Sequence, residues 1–217
     1  MSGLVSDVMT KEVIVARPET TFRELVRLIE DHHVHALPVI DETGRVTGMV
    51  AESDLLVKEE FADDHVRTPL RRRGRARLAG TTAEEIMTSP VVTIDPSQRL
   101  GQAARVIHRR HIGRLPVVDK DDRLIGIVTR RDLLKIFLRP DQELLEAVQE
   151  TIAAVDNSPS CTISATVNDG IVVLSGSAHL ASPVMAIAGI VRRVPGSVQL
   201  DVRATGVYDD VHPVAIA

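Results

Sequence analysis

Gly126-Ile127-Val128-Thr129-Arg130-Arg131-Asp132, with its partial echo Gly48-Met49-Val50-Ala51-Glu52-Ser53-Asp54, is the stretch on which the reading of this chain turns. The apolar run Leu124 to Val128 has the character of a buried strand, and Arg131 to Leu138 that of a short helix. Thr129 and Asp132 then stand at a strand-to-helix turn, where backbone N–H groups lack partners and the helix dipole is positive. A hydroxyl and a carboxylate held there can bind the phosphate and ribose hydroxyls of a nucleotide. The same Thr-x-x-Asp spacing is also a helix capping box, which is purely structural and the commoner use of the pattern.

An internal repeat extends outward from this stretch. Asp7-Val8-Met9-Thr10 returns as Glu85-Ile86-Met87-Thr88, 78 residues later. The same spacing then holds without a gap. It carries Pro18 onto Pro96, Leu37-Pro38-Val39 onto Leu115-Pro116-Val117, Gly48 onto Gly126 and Asp54-Leu55-Leu56 onto Asp132-Leu133-Leu134.

Each copy reads as strand, helix, strand, strand, helix. In the first, Val13-Ile14-Val15 is a short strand closed by Pro18. A helix follows from about Thr21, with Phe22, Leu25, Val26 and Ile29 at helical spacing. Leu37 to Ile40 and Val46 to Val50 form a hairpin around Asp41-Glu42-Thr43-Gly44. The second copy repeats the order with Val91 to Ile94, Leu100 to Arg110, Leu115 to Val118 and Leu124 to Val128. One such unit is too small to be comfortably stable alone, so the two are expected to pack together about a pseudo-twofold axis with two related clefts.

The tandem pattern of Met-Thr, an apolar strand, Leu-Pro-Val-apolar-Asp and Gly-apolar-apolar-Thr-x-x-Asp resembles a CBS domain pair, over about Leu4 to Lys58 and Thr82 to Leu138. The resemblance implies a non-catalytic regulatory module with adenosyl ligands in its clefts. The Asp of the last motif would hold the ribose, the Thr would lie near the phosphates, and backbone of the first and Leu-Pro-Val strands would frame the base. Carried over, this assigns Thr88, Val91, Val92, Leu115, Pro116, Thr129 and Asp132 to one cleft. Arg114, directly before Leu-Pro-Val, is placed to reach a phosphate, or is simply a surface arginine. The other cleft would use Thr10, Val13, Ile14, Leu37, Pro38 and Asp54. With Ala51 at the Thr position and Ala36 at the Arg position, it is expected to be the weaker. The implied ligand is AMP, ADP, ATP or S-adenosylmethionine, acting as a regulator and not as a cofactor. The resemblance also implies a homodimer.

Between the copies, Glu59 to Gly80 is a charged linker. Its acidic residues give way to Arg67, Arg71, Arg72, Arg73, Arg75 and Arg77. A basic cluster can bind nucleic acid, but no aromatic residue lies among the arginines, which disfavours that partner. His33 and His111 occupy matching positions at the ends of the two long helices, which fits a structural role better than a metal site.

Beyond Arg139-Pro140 the pattern changes. Leu144, Leu145, Val148, Ile152 and Val155 mark an amphipathic helix, and Asn168-Asp169-Gly170 turns an alternating strand into Ile171 to Leu174. A helix from about Pro183 to Arg193 carries Met185, Ala188 and Val191, and a last strand holds Val198, Leu200 and Val202. This αββαβ order resembles a BON domain, carried by Val167 to Gly176 and Val194-Pro195-Gly196. It implies, weakly, a protein partner or phospholipid contact. Cys161 reads as a packing residue or an exposed edge thiol.

The expected organisation is therefore α+β. Residues 1–58 and 81–139 are two β-α-β-β-α repeats joined by the linker 59–80, and a BON-like domain at 140–208 is followed by a tail at 209–217. One cysteine excludes an internal disulfide. The start of the chain has no signal-peptide pattern, which suggests a cytoplasmic setting. No paired acid–base set or nucleophile triad is visible, so an enzyme is the least favoured class. An adaptor with vestigial clefts stands beside the sensor as the second reading.

Overall fold

The computed structural model describes residues 3–56, 80–155 and 161–208. Nearly all of the linker, the tail 209–217 and the side chain of Cys161 lie outside the described residues. The chain divides into two compact units, Leu4–Arg130 and a second beginning at Arg131.

In the first unit the two copies are built alike. Helix α1 is Phe22–His32; Thr21 caps it by accepting from the Glu24 N–H, while Glu24 accepts in return from the Thr21 N–H at 2.9 Å. Strands β1 (Ala36–Ile40) and β2 (Val46–Ala51) form an antiparallel hairpin. Residues 52–56 are helical and are called α2. The second copy supplies the short α3 (Ala83–Ile86), α4 (Leu100–Arg110) and the hairpin β3 (Arg114–Val118) with β4 (Leu124–Thr129); α5 (Arg130–Lys135) follows β4 and from Arg131 onward belongs to the second unit. Both hairpins carry an irregularity at the same place, Val39/Ile40 and Val117/Val118. His33 and His111 end α1 and α4 in the left-handed conformation, with φ of 51° and 53°. Each donates its backbone N–H back into the last turn, so both are helix caps.

The first strand expected in each copy is reduced to one bridge. Ala16 pairs with Val39 and Ile94 with Val117, and no ladder extends from either. Upstream extension would require an N–H from Pro38 or Pro116, and proline has none.

The copies also exchange segments. Thr10 and Ile127 bond reciprocally at 2.9 Å, tying the start of the first copy to β4 of the second. Thr88 and Met49 make the matching exchange, at 2.8 and 3.1 Å. Arg45 bridges Arg123, its own counterpart in the repeat, which sets the pseudo-twofold axis between them. The core around Leu25, Ile29, Leu37, Val39 and Val50 is accordingly completed by Ala83 and Ile86 from the other copy.

In the second unit, a 3-10 turn at Ile136–Leu138 precedes α6 (Asp141–Val155). Strands β5 (Cys161–Asn168) and β6 (Ile171–Leu180) join through Asp169-Gly170, both at positive φ, as a two-residue hairpin requires. Helix α7 (Ala181–Val191) leads to β7 (Gln199–Val202) and β8 (Thr205–Tyr208), which pair in parallel with successive parts of β6. β8 was not expected from the sequence. Leu144, Val148, Val172, Leu174, Val184, Ile187 and Val191 form the core. Met185 is 58% exposed, because α7 is apolar on both faces and Val184 and Ile187 take the inward positions.

Candidate functional site

Each hairpin delivers the chain into a helix start. Asp54 Oδ2 accepts from the Ala51 N–H at 2.9 Å, which is the capping use of the motif made without its Thr. Asp132, in α5, is only 7% exposed, and Lys135 Nζ donates to its Oδ1 at 3.1 Å. The residue at the position of Lys135 in the first copy is Val57, which carries no charge.

A cavity of about 400 Å³ lies in the Leu4–Arg130 unit, with walls from both copies. The first copy contributes Ala36, Met49, Ala51, Ser53 and Asp54 from the open end of its hairpin and the start of α2. The second contributes Thr88, Pro90, Val91 and Val92, which the Thr88–Met49 exchange carries past β2. It also contributes the turn from His111 through Gly113 to Arg114. The segment at 91–92 lines the cavity with the first copy's carboxylate because Thr88, just before it, is bridged to the first copy's strand at Met49.

Arg114 is the guanidinium of this wall. Burial lowers its pKa below the ordinary arginine value, and the Glu52 carboxylate opposes that shift. An arginine stays charged at any physiological pH, so the cavity holds a fixed cation together with the Asp54 carboxylate. Glu52 is itself engaged at the surface, with its Oε2 3.0 Å from His35 Nδ1.

This cavity groups the residues differently from the sequence expectation. Thr88, Val91, Val92 and Arg114 surround the cavity with Asp54, whereas Thr129 and Asp132 do not line it. Leu115 and Leu37 are fully buried core residues, and the carbonyls of Pro116 and Pro38 accept from Ile94 and Ala16. Thr10 is bonded to Ile127 in the second copy's hairpin, and Ile14 packs against the core of the first copy. Sequence reasoning did not place Ser53, Pro90 or His111 at a ligand site. Ser53 had a readable signal, since it puts a hydroxyl beside Asp54 in the copy that lacks the Thr.

The CBS domain profile matches residues 5–59 and 83–139. The chain belongs to the CBS-domain family. A CBS domain-containing protein of Dictyostelium discoideum is 31% identical over 140 residues, 64% of this chain and 94% of that protein. A Methanocaldococcus jannaschii protein is 33% identical over 137 residues, 62% of this chain, and the match spans 47% of that relative's length. Among solved structures, Arabidopsis thaliana CBSX2 in complex with AMP gives a TM-score of 0.56 at 29% identity, covering 63% of this chain and 97% of that one. The CBS pair of protein MJ0100, in complex with 5-methylthioadenosine and S-adenosyl-L-methionine, gives 0.52 at 27%, covering 62% and 98%. The mixed α+β CBS-pair fold is thereby established, and these two structural neighbours are complexes with adenosyl compounds. Among the described residues, no helix is long and apolar enough to cross a membrane.

Proposed function

We propose that this CBS pair is a non-catalytic sensor that binds an adenine nucleotide in the composite cavity and works as a homodimer. The observation that carries the reading is one cavity lined by a carboxylate from one copy and a guanidinium from the other. A ribose finds Asp54, with Ser53 beside it, and a phosphate finds Arg114. Thr88, Val91 and Val92 offer backbone and apolar surface to the base. A fixed cation favours AMP, ADP or ATP over S-adenosylmethionine, whose sulfonium it repels. Asp132, buried and paired with Lys135, is read as a structural acid.

The C-terminal unit is read as a BON-like domain that passes the signal to a protein or lipid surface. A ligand shifts such an arrangement only by preferring one of two states.

A thermal-shift screen with AMP, ADP, ATP and S-adenosylmethionine tests the proposal. A micromolar ligand at millimolar concentration adds about 4 kcal/mol to stability and raises the melting temperature. No shift with any of them would favour the adaptor with vestigial clefts.

A further inference from the structure

The two edges of the C-terminal sheet are built differently. One is divided between the short strands β7 and β8, and the Asp201–Arg203 ion pair stands beside the break. Short strands and charged side chains are devices that keep an edge from pairing. The other edge is β5, which pairs only with β6 among the described residues. From Cys161 to Asn168 it contains no charge, no proline and no bulge. The two-residue turn closes on the Asn168–Ile171 pair, and bonding alternates along the ladder from there. Thr162, Ser164, Thr166 and Asn168 therefore bond inward, and the Thr162 carbonyl oxygen lies against Gly176 of β6. The backbone N–H and C=O groups of Ile163, Ala165 and Val167 point outward, and among the described residues none pairs with them.

We infer that β5 pairs antiparallel with β5 of a second copy, so that two C-terminal sheets become one continuous sheet. The strand fits itself. A twofold normal to the sheet keeps the helices of both copies on one side and makes every contact twice. Ile163, Ala165 and Val167, half-buried against the core, then meet the same apolar row of the other copy. The exposed Thr162, Ser164, Thr166 and Asn168 meet the matching polar row. Outward groups pair only with outward groups, and each facing pair exchanges both of its hydrogen bonds. An uncharged strand offers a charged peptide no complement, and it sets no like charges together when it meets its own copy. The contact lies wholly in the C-terminal unit and uses no surface of the CBS pair.

Hydrogen exchange of the full chain, read amide by amide, tests it. An amide on a free edge is open to water, and one within a ladder is not. The Ile163, Ala165 and Val167 amides are expected to be protected in the wild type at high protein concentration. Ser164→Lys with Thr166→Lys sets like charges across the seam and should speed their exchange at least about tenfold. The Ser164, Thr166 and Asn168 positions bond within the chain, so their amides stay protected in both proteins. Ser164→Asp with Thr166→Asp has the same effect alone, and mixing it with the lysine variant restores the outward protection. Ala165→Pro deletes an outward N–H that the β5–β6 ladder does not use, so it blocks pairing and keeps the fold, which a melting curve checks. Outward amides that exchange freely in the wild type would overturn the inference. So would protection that the lysine pair and the proline both leave intact. A dimer made through the CBS pair alone leaves these amides open, so the outcome is separable from the homodimer reading above.

Discussion

Met9 crosses the backbone of Gly126 so closely that a β-carbon on that glycine would lie 2.7 Å from its sulfur. Met87 crosses Gly48 in the same way and more tightly, meeting the β-carbon position with its Sδ, Cγ and Cβ. The Met-Thr and Gly-apolar-apolar motifs of the repeat are thus two sides of one contact, made between copies. The glycines let each copy's leading segment lie on the other's hairpin.

Gly48→Ala and Gly126→Ala are therefore expected to destabilise the CBS pair by roughly 1–3 kcal/mol each. Gly48→Ala should cost more, because the Sδ, Cγ and Cβ of Met87 all lie within 3.0 Å of the added carbon, whereas at Gly126 only the Met9 Sδ does, with Met9 Cγ and the Thr10 carbonyl at 3.1 Å. Urea denaturation measures both. Equal and negligible changes would contradict the crossing.

His33 holds a left-handed φ of 51°, which a side chain other than glycine adopts at a cost. His33→Gly is expected to stabilise by up to about 1 kcal/mol in thermal or urea unfolding. Destabilisation would mean that the imidazole contributes more than the cap.

In the C-terminal unit, the Asp141 carboxylate accepts from the N–H groups of Asp169 and Gly170, at 2.6 and 2.8 Å. It ties the start of α6 to the β5–β6 turn. Asp141→Ala is expected to cost about 1–3 kcal/mol of that unit's stability, since two donors lose a charged acceptor. Hydrogen exchange at the turn amides should accelerate with it. Unchanged exchange would exclude the clasp.

Several turn and cap carboxylates have pKa values below the ordinary range. Side-chain and backbone bonds within the turn lower Asp41, backbone bonds from Arg123 and Asp121 lower Asp119, and the backbone N–H of Thr21 and Thr81 lowers Glu24 and Glu85 respectively. A depressed folded-state pKa contributes stability above the unfolded value and loses it as pH falls through the folded one. The urea midpoint is expected to decline progressively below about pH 4, where these groups take up protons. A midpoint as high at pH 3 as at pH 6 would contradict these turn bonds.

Much of the fold was legible because the repeat is gapless and each helix and hairpin has local signals. Thr21 and Glu24 announce α1, and Asp41 and Asp119 announce the two turns. The cleft was harder to read because Thr88 and Ser89 sit in the second copy by sequence and are hydrogen-bonded to the first, carrying Pro90 to Val92 to its cavity. Nothing local to those residues records which hairpin they join. Pro38 and Pro116 were read as site residues, although their missing N–H groups act on strand length. The inward face of α7 was ambiguous for another reason: Met185 and Ile187 are equally apolar, and period alone does not choose between them.

The most direct test is calorimetric titration of AMP and ATP into the wild type, Asp54→Ala, Arg114→Met and Asp132→Ala. Asp54 and Arg114 line one cavity from different copies, so each replacement is expected to weaken binding at least about tenfold, at roughly 1–3 kcal/mol per lost polar contact. Asp132→Ala should leave that affinity unchanged. Binding abolished by Asp132→Ala and untouched by Asp54→Ala would contradict the composite site.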